Sequence, residues 1–149
     1  MKLTVLGCLG AYPYKNQGTT SYLLQSAGFN LLIDAGSATL IKLQEHLEPL
    51  ELDAVILSHY HHDHIADLGV LQYYWQLHPE KEPGAILPIY GHTKDTFHFD
   101  ELTMPNVSEG RGYFEAEELK VGPFLITFTE TIQVGGQAVL GRQIPTTTP

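Results

Sequence analysis

Residues 59–64 read His-Tyr-His-His-Asp-His and follow directly on the apolar run Ala54-Val55-Ile56-Leu57. Half of the chain's eight histidines fall in these six positions. A short apolar run without alternation reads as a strand buried on both faces. It delivers His59, His61, Asp63 and His64, spaced H-x-H-x-D-H, onto one turn at a sheet edge. Neutral imidazole and carboxylate suit zinc, with iron or manganese as alternatives. The competing reading is a loose His-rich tract in an exposed turn. The buried strand before it, Ser58 at the turn and an amphipathic stretch after it favour a metal-binding turn. In a helix starting near His64, residues Ile65, Leu68, Leu71 and Trp75 fall near one face.

The chain has 149 residues, 43% hydrophobic and 17% charged, which fits one globular domain with a core. A net charge of −9 argues against a general nucleic-acid-binding surface. It leaves room for an enzyme that handles a phosphodiester at a metal site, where the ions supply the positive charge. The single cysteine, Cys8, rules out an internal disulfide framework. No run approaches the roughly 20 apolar residues that cross a bilayer as a helix, so a cytoplasmic location without a membrane is expected.

Along the chain, Lys2 to Leu6 reads as a strand, with Cys8 as a small buried or turn residue. Thr20 to Leu24 and Phe29 to Ile33 form a hairpin about Ser26-Ala27-Gly28. Asp34-Ala35-Gly36 closes it, and Ser37 caps a helix to about His46 whose apolar side holds Leu40, Ile41, Leu43 and Leu47. Asp53 to Leu57 is the strand before the His cluster, and a helix runs on to about Leu77. Ile86 to Tyr90 is a further strand, with a short helix after Thr93. Met104 to Gly112 reads as irregular. Glu118 to Val121 and Phe124 to Phe128 form a hairpin about Gly122-Pro123. The alternation of strands and helices predicts an α/β layered domain. Ser58 lacks the glycines of a nucleophile elbow, and Gly7-Cys8-Leu9-Gly10 lacks the third glycine of a dinucleotide fingerprint.

With Asp34-Ala35-Gly36, Asp53 to Ser58 and His59-x-His61-x-Asp63-His64 in place, residues 1–131 resemble the metallo-β-lactamase fold superfamily. Thr19 to Leu24 and Leu87-Pro88-Ile89-Tyr90-Gly91 make the chain most similar to its ribonuclease Z-like hydrolase branch. The resemblance implies the first half of an αββα sandwich, a mixed sheet with helices on one face. It implies two zinc ions, with His59 and His61 as ligands of the first and Asp63 and His64 as ligands of the second. Asp63 is also implied to orient the nucleophile or accept a proton, and Asp34 to support the metal loop. For Asp34, plain turn closure is an equal alternative. His62 falls at a variable position of the motif.

The chain also departs from that pattern. The family brings a further His on a later strand, then a bridging Asp and a final His. Here Gln133 stands at the expected His, and the last Asp and His are Asp100 and His98. His78 reads as a loop residue, His92 as a capping or surface residue and His98 as a structural histidine.

From these departures we expect an incomplete domain over residues 1–131 and an atypical tail over 132–149. Leaving several hundred Å² of inner sheet face wet would forfeit about 10 kcal/mol, so aggregation, self-association through that face or marginal folding is expected. The expected function is a metal-dependent hydrolase of a phosphodiester or ester, impaired by the missing ligands. The alternative is a non-catalytic relic or interaction domain with weak or no metal binding.

Overall fold

The computed structural model describes residues 1–113 and 118–127, together with the backbone of Thr146–Thr147. The strands are β1 (Lys2–Leu9), β2 (Gly18–Thr19), β3 (Ser21–Ser26), β4 (Phe29–Ile33), β5 (Ala54–Ile56), β6 (Leu87–His92), β7 (Ser108–Tyr113), β8 (Glu118–Val121), β9 (Phe124–Thr127) and β10 (Thr146–Thr147). The helices are α1 (Thr39–Gln44), α2 (His62–Ile65), α3 (Leu68–Leu77) and α4 (Thr96–Asp100).

Seven strands form a mixed sheet in the order β2-β1-β3-β4-β5-β6-β7, and β10-β9-β8 form a second, smaller sheet. Strand β3 runs antiparallel to both of its neighbours, whereas β4 to β7 are mutually parallel. Hence β1, β4, β5 and β6 all point the same way, and their carboxyl ends share one edge. That edge is where open α/β sheets bind ligands. The β3–β4 turn takes Ala27 at φ 52° and Gly28 at φ 74°, the left-handed pair that a tight two-residue hairpin needs.

Side-chain alternation gives the sheet two apolar faces. On one, Leu23, Leu32, Val55 and Ile89 lie across four adjacent strands and are fully buried. Leu43 of α1 and Leu68, Leu71 and Trp75 of α3 cover them, as the helical spacing predicts. On the other face Leu24, Leu31, Ala54 and Ile56 pack against Val121, Phe124 and Ile126 of the β8–β9 hairpin. Among the described residues the helices therefore lie on one face, and a second sheet begins on the other. The expectation of an unpartnered inner face is corrected for this region. Toward the other end of that face, Leu3 and Val5 of β1 are 58% and 55% exposed.

Several local expectations change. The segment read as irregular contains β7, paired in register with β6 from Leu87↔Ser108 to His92↔Tyr113. Its sequence Ser-Glu-Gly-Arg-Gly-Tyr shows no apolar alternation because β7 is an edge strand with only its two ends buried. Helix α1 is capped by Ala38 at φ 69°, not by Ser37, and Ile41 is 69% exposed. Cys8 lies exposed on β1. The helix expected to run unbroken from His64 divides into α2 and α3. The His64 carbonyl accepts from the Ala35 N–H at 2.8 Å, so it is diverted from the next helical turn. Among the described residues no helix is long and apolar enough to cross a membrane. The tail assigned to 132–149 lies outside the described residues, apart from the pairing of Thr146 and Thr147 with Ile126 and Leu125.

Candidate metal centre

Two loops at the carboxyl edge build the site. The first follows β4. Asp34 turns into the left-handed region at φ 59°, where aspartate is one of the few residues at ease, and its N–H still donates to Ile56 O at 2.9 Å. The second follows β5 and carries residues 58–64. The two loops are clamped together: Ala35 N–H donates to His64 O at 2.8 Å, and Asp67 N–H donates to Ala35 O at 2.9 Å. Gly36 permits this closeness, because a Cβ there would lie 2.3 Å from the Asp63 carbonyl oxygen and 2.3 Å from Thr19 Oγ1. Gly36→Ala should therefore cost about 1–3 kcal/mol by overpacking against backbone. Urea unfolding checks this, with Gly10→Ala, where a Cβ meets nothing within 4 Å, as the reference.

Asp34 is 2% exposed and accepts three hydrogen bonds, from Ser58 N–H, Ser58 Oγ and His64 Nδ1, each at 2.7 Å. It both closes its turn and braces the loop that carries residues 58–64. These bonds set the imidazole tautomers. With its hydroxyl proton given to Asp34, Ser58 Oγ accepts from His59 Nδ1 at 2.9 Å. His64 holds its proton on Nδ1 against Asp34. In both rings the Nε2 lone pair is left facing outward.

The outward atoms form two pairs. His59 Nε2 stands 3.1 Å from His61 Nδ1, and His64 Nε2 stands 3.6 Å from Asp63 Oδ2. Two donors each about 2.0–2.2 Å from a tetrahedral zinc ion stand about 3.3–3.6 Å apart, so both pairs have nearly the separation that one ion imposes. The rings of His59 and His64 lie 4.0 Å apart, which joins the pairs into one cluster. The donors do not share a single point, however. Among the described residues no three His, Cys, Asp or Glu side chains stand where they hold one ion. They form two adjacent two-donor positions.

Local electrostatics separate the histidines. Burial, aided by the neighbouring His64, lowers the His59 pKa and keeps that ring neutral. Burial acts against protonation of His64 too, but the Asp34 bond and charge outweigh it and the net shift is upward. At Asp63 burial is outweighed by the Ala11 N–H, which donates to Oδ2 at 3.0 Å, and by His64, so its carboxyl is held below the ordinary value.

His62 is exposed on α2. His78 stacks on Tyr74, and His92 Nδ1 accepts from Lys94 N–H at 2.9 Å. His98 pairs with Asp95 at 2.6 Å and stacks on Tyr60 at 5.2 Å. Gln133 lies outside the described residues. Tyr60, which fills a variable position of the motif, was not singled out by sequence. Its hydroxyl donates to His92 O at 2.8 Å, so it fastens the His59–His64 turn to the end of β6. Gly91 makes room for it, since a Cβ there would lie 2.4 Å from Tyr60 Oη. Only the pairing of β5 with β6 reveals that contact.

The profile of the metallo-beta-lactamase superfamily matches residues 15–149. This chain belongs to that superfamily. It is similar to the "Probable metallo-hydrolase YhfI" of Bacillus subtilis, 48% identical over 133 residues, covering 89% of this chain and 54% of the relative. A ribonuclease Z from Methanopyrus kandleri is 30% identical over 127 residues, covering 85% of this chain and 44% of that protein. The chain thus spans about half the length of these curated relatives. The crystal structure of the Bacillus subtilis YhfI protein superposes with a TM-score of 0.85 at 43% identity, covering 97% of this chain and 57% of that one. The short form of human tRNase Z shares the fold, with a TM-score of 0.69 at 17% identity, covering 99% of this chain and 64% of that chain. The superfamily membership and the mixed sheet with helices on one face both agree with the sequence reading.

Proposed function

We propose that this superfamily member carries the first part of a metal-dependent hydrolase site acting on a phosphodiester or ester. The reading is carried by one observation: two pairs of donor atoms face each other at ion-bridging separations while the remaining His59 and His64 nitrogens are held by Ser58 and Asp34. It is supported by the likeness to a probable metallo-hydrolase and to a ribonuclease Z.

His59 and His61 would hold one ion, and Asp63 and His64 the other. Zinc, when bound, supplies Lewis acidity and makes hydroxide available near neutral pH. Asp34 and Ser58 fix the imidazole tautomers, so the liganding nitrogens carry lone pairs without rearrangement. Asp63 accepts the Ala11 N–H on Oδ2, which holds its carboxylate in one orientation. That orientation suits it to position the nucleophile or take its proton.

Two donors per ion give a weaker site than a complete one, which favours the alternative of a relic with weak or no metal binding. Zinc analysis after dialysis, with hydrolysis of bis(p-nitrophenyl) phosphate, separates the two. Retained zinc with turnover supports the hydrolase, and neither supports the relic. His59→Ala should reduce zinc affinity at least tenfold, as even losing a partner of a ligand lowers affinity about 10–100-fold. His62→Ala, at an exposed position, should leave it unchanged.

A further inference from the structure

Strand β1 has one neighbour along most of its length and another along only part of it. On one side β3 pairs with it in unbroken register from Lys2↔Gln25 to Val5↔Tyr22. On the other side β2 meets it only at Gly7 and Leu9, and among the described residues nothing pairs with Lys2–Val5 there. In an antiparallel pair the backbone groups of successive residues turn alternately toward the partner strand and away from it. Half of the stretch from Lys2 to Val5 therefore aims its N–H and C=O groups into an open lane, which extends the line of β2 back beyond Gly18. Such a lane suits an extended chain, because another strand supplies acceptors and donors at the matching spacing.

The side chains along the lane say what that chain must carry. On the face of the second sheet, Leu3 and Val5 stand exposed. On the helical face the lane opens into a cleft of about 370 Å³ lined by Leu6, Cys8, Asn16, Gln17, Lys42 and His46. Glu45, the one carboxylate in that lining, is exposed and lies 3.9 Å from Lys42. Lys2 begins the strand, and Lys15 lines an adjoining cleft with Asn16 and Gln17. Three of the chain's eight Lys and Arg residues thus gather at this edge, although the whole chain carries −9. A strand laid in the lane turns alternate side chains to opposite faces. Apolar residues would meet Leu3 and Val5, and the residues between them would point toward Lys42 and His46. Acidic side chains complement that second set.

We infer that the open edge of β1 binds an extended peptide of alternating apolar and acidic residues, added as a strand beside Lys2–Val5. None of His59, His61, Asp63 and His64 lines the cleft, and the inference does not depend on the hydrolase reading.

The probe is the capped peptide acetyl-Val-Glu-Val-Glu-Val-amide, titrated by calorimetry into the full chain with a chelator present, so that no carboxylate binds through a metal. It should bind about tenfold tighter than its counterpart with lysine in place of glutamate, the scale of two favourable charge contacts. Lys42→Glu should reverse that preference, which a loss of structure would not do. A strand pairs through one edge, and the N–H groups of alternate residues share an edge. Methylating the valine nitrogens and methylating the glutamate nitrogens should therefore differ, one abolishing binding and the other sparing it. Amide exchange within Lys2–Val5 should slow on binding, while that of β7 at the opposite edge of the sheet should not. Equal affinity for the two peptides, equal effects of the two methylations, unchanged exchange in β1, or no binding at millimolar concentration would overturn the inference. Protection of both alternate sets of Lys2–Val5 amides in a self-associated chain without peptide would give the edge to a second copy and overturn it as well.

Discussion

Asp34→Ala is expected to destabilise the chain by about 3–5 kcal/mol, the cost of stripping the partner from a buried charged pair. The side chain is 2% exposed, and its removal takes the acceptor from the Ser58 N–H and leaves His64 Nδ1 with the longer contact of 3.4 Å to Ser58 Oγ. Alanine also fits poorly at φ 59°. Asp34→Asn should recover much of the loss, since asparagine tolerates that conformation and its Oδ1 still accepts from Ser58 N–H. Zinc affinity should nonetheless fall about 10–100-fold, because the amide no longer holds the His64 proton. The pH dependence has a definite sign. Asp34 raises the His64 pKa in the folded state against the burial that lowers it. Its contribution in the metal-free chain is therefore full below the unfolded histidine value of about 6.5 and is lost as pH rises through the higher folded value. Its charge acts in the same direction on His59. The stability gap between wild type and Asp34→Asn should narrow from pH 6 to pH 8 in urea titrations, and a widening gap would contradict the assignment.

Phe124→Ala should cost about 3–5 kcal/mol, the usual range for a buried phenylalanine. Phe124 is fully buried, meets Phe29 edge-on with ring centres 6.1 Å apart, and seals Leu24, Leu31 and Ile56 beneath the second sheet. Leu3→Ala, on the exposed end of the same sheet face, should change stability by less than about 0.5 kcal/mol. Similar small losses from both would mean that the β8–β9 hairpin does not seat on the main sheet.

Much of this was readable in the sequence, and the reasons differ by element. Phe29–Ile33 and Glu118–Val121 were found with their ends because turn residues bracket apolar runs. The His59–His64 turn was readable as a candidate site because its donor residues are contiguous and follow a strand with no polar face. Strand β7 was hidden because pairing with β6, not its own composition, makes it a strand. The break between α2 and α3 was hidden because the Ala35 peptide that causes it lies far back in the chain. Ile41 was placed on the apolar side by spacing, yet in α1 it is exposed, while Leu43 of the same predicted face is buried. The bond of Asp34 to His64, the anchoring of Tyr60 and the hold of Ala11 on Asp63 are all contacts between loops of different strands. Such contacts become visible only once strand order is known.

Asp34, Ser58, His59, His61, Asp63 and His64 all come from two neighbouring parallel strands and the turns that follow them. Little chain separates them, so the loss of entropy on bringing them together is modest. The cluster can therefore form early, before the distant β8–β9 hairpin docks. An ion captured there would act on the transition state for folding, and would speed renaturation more than it slows unfolding.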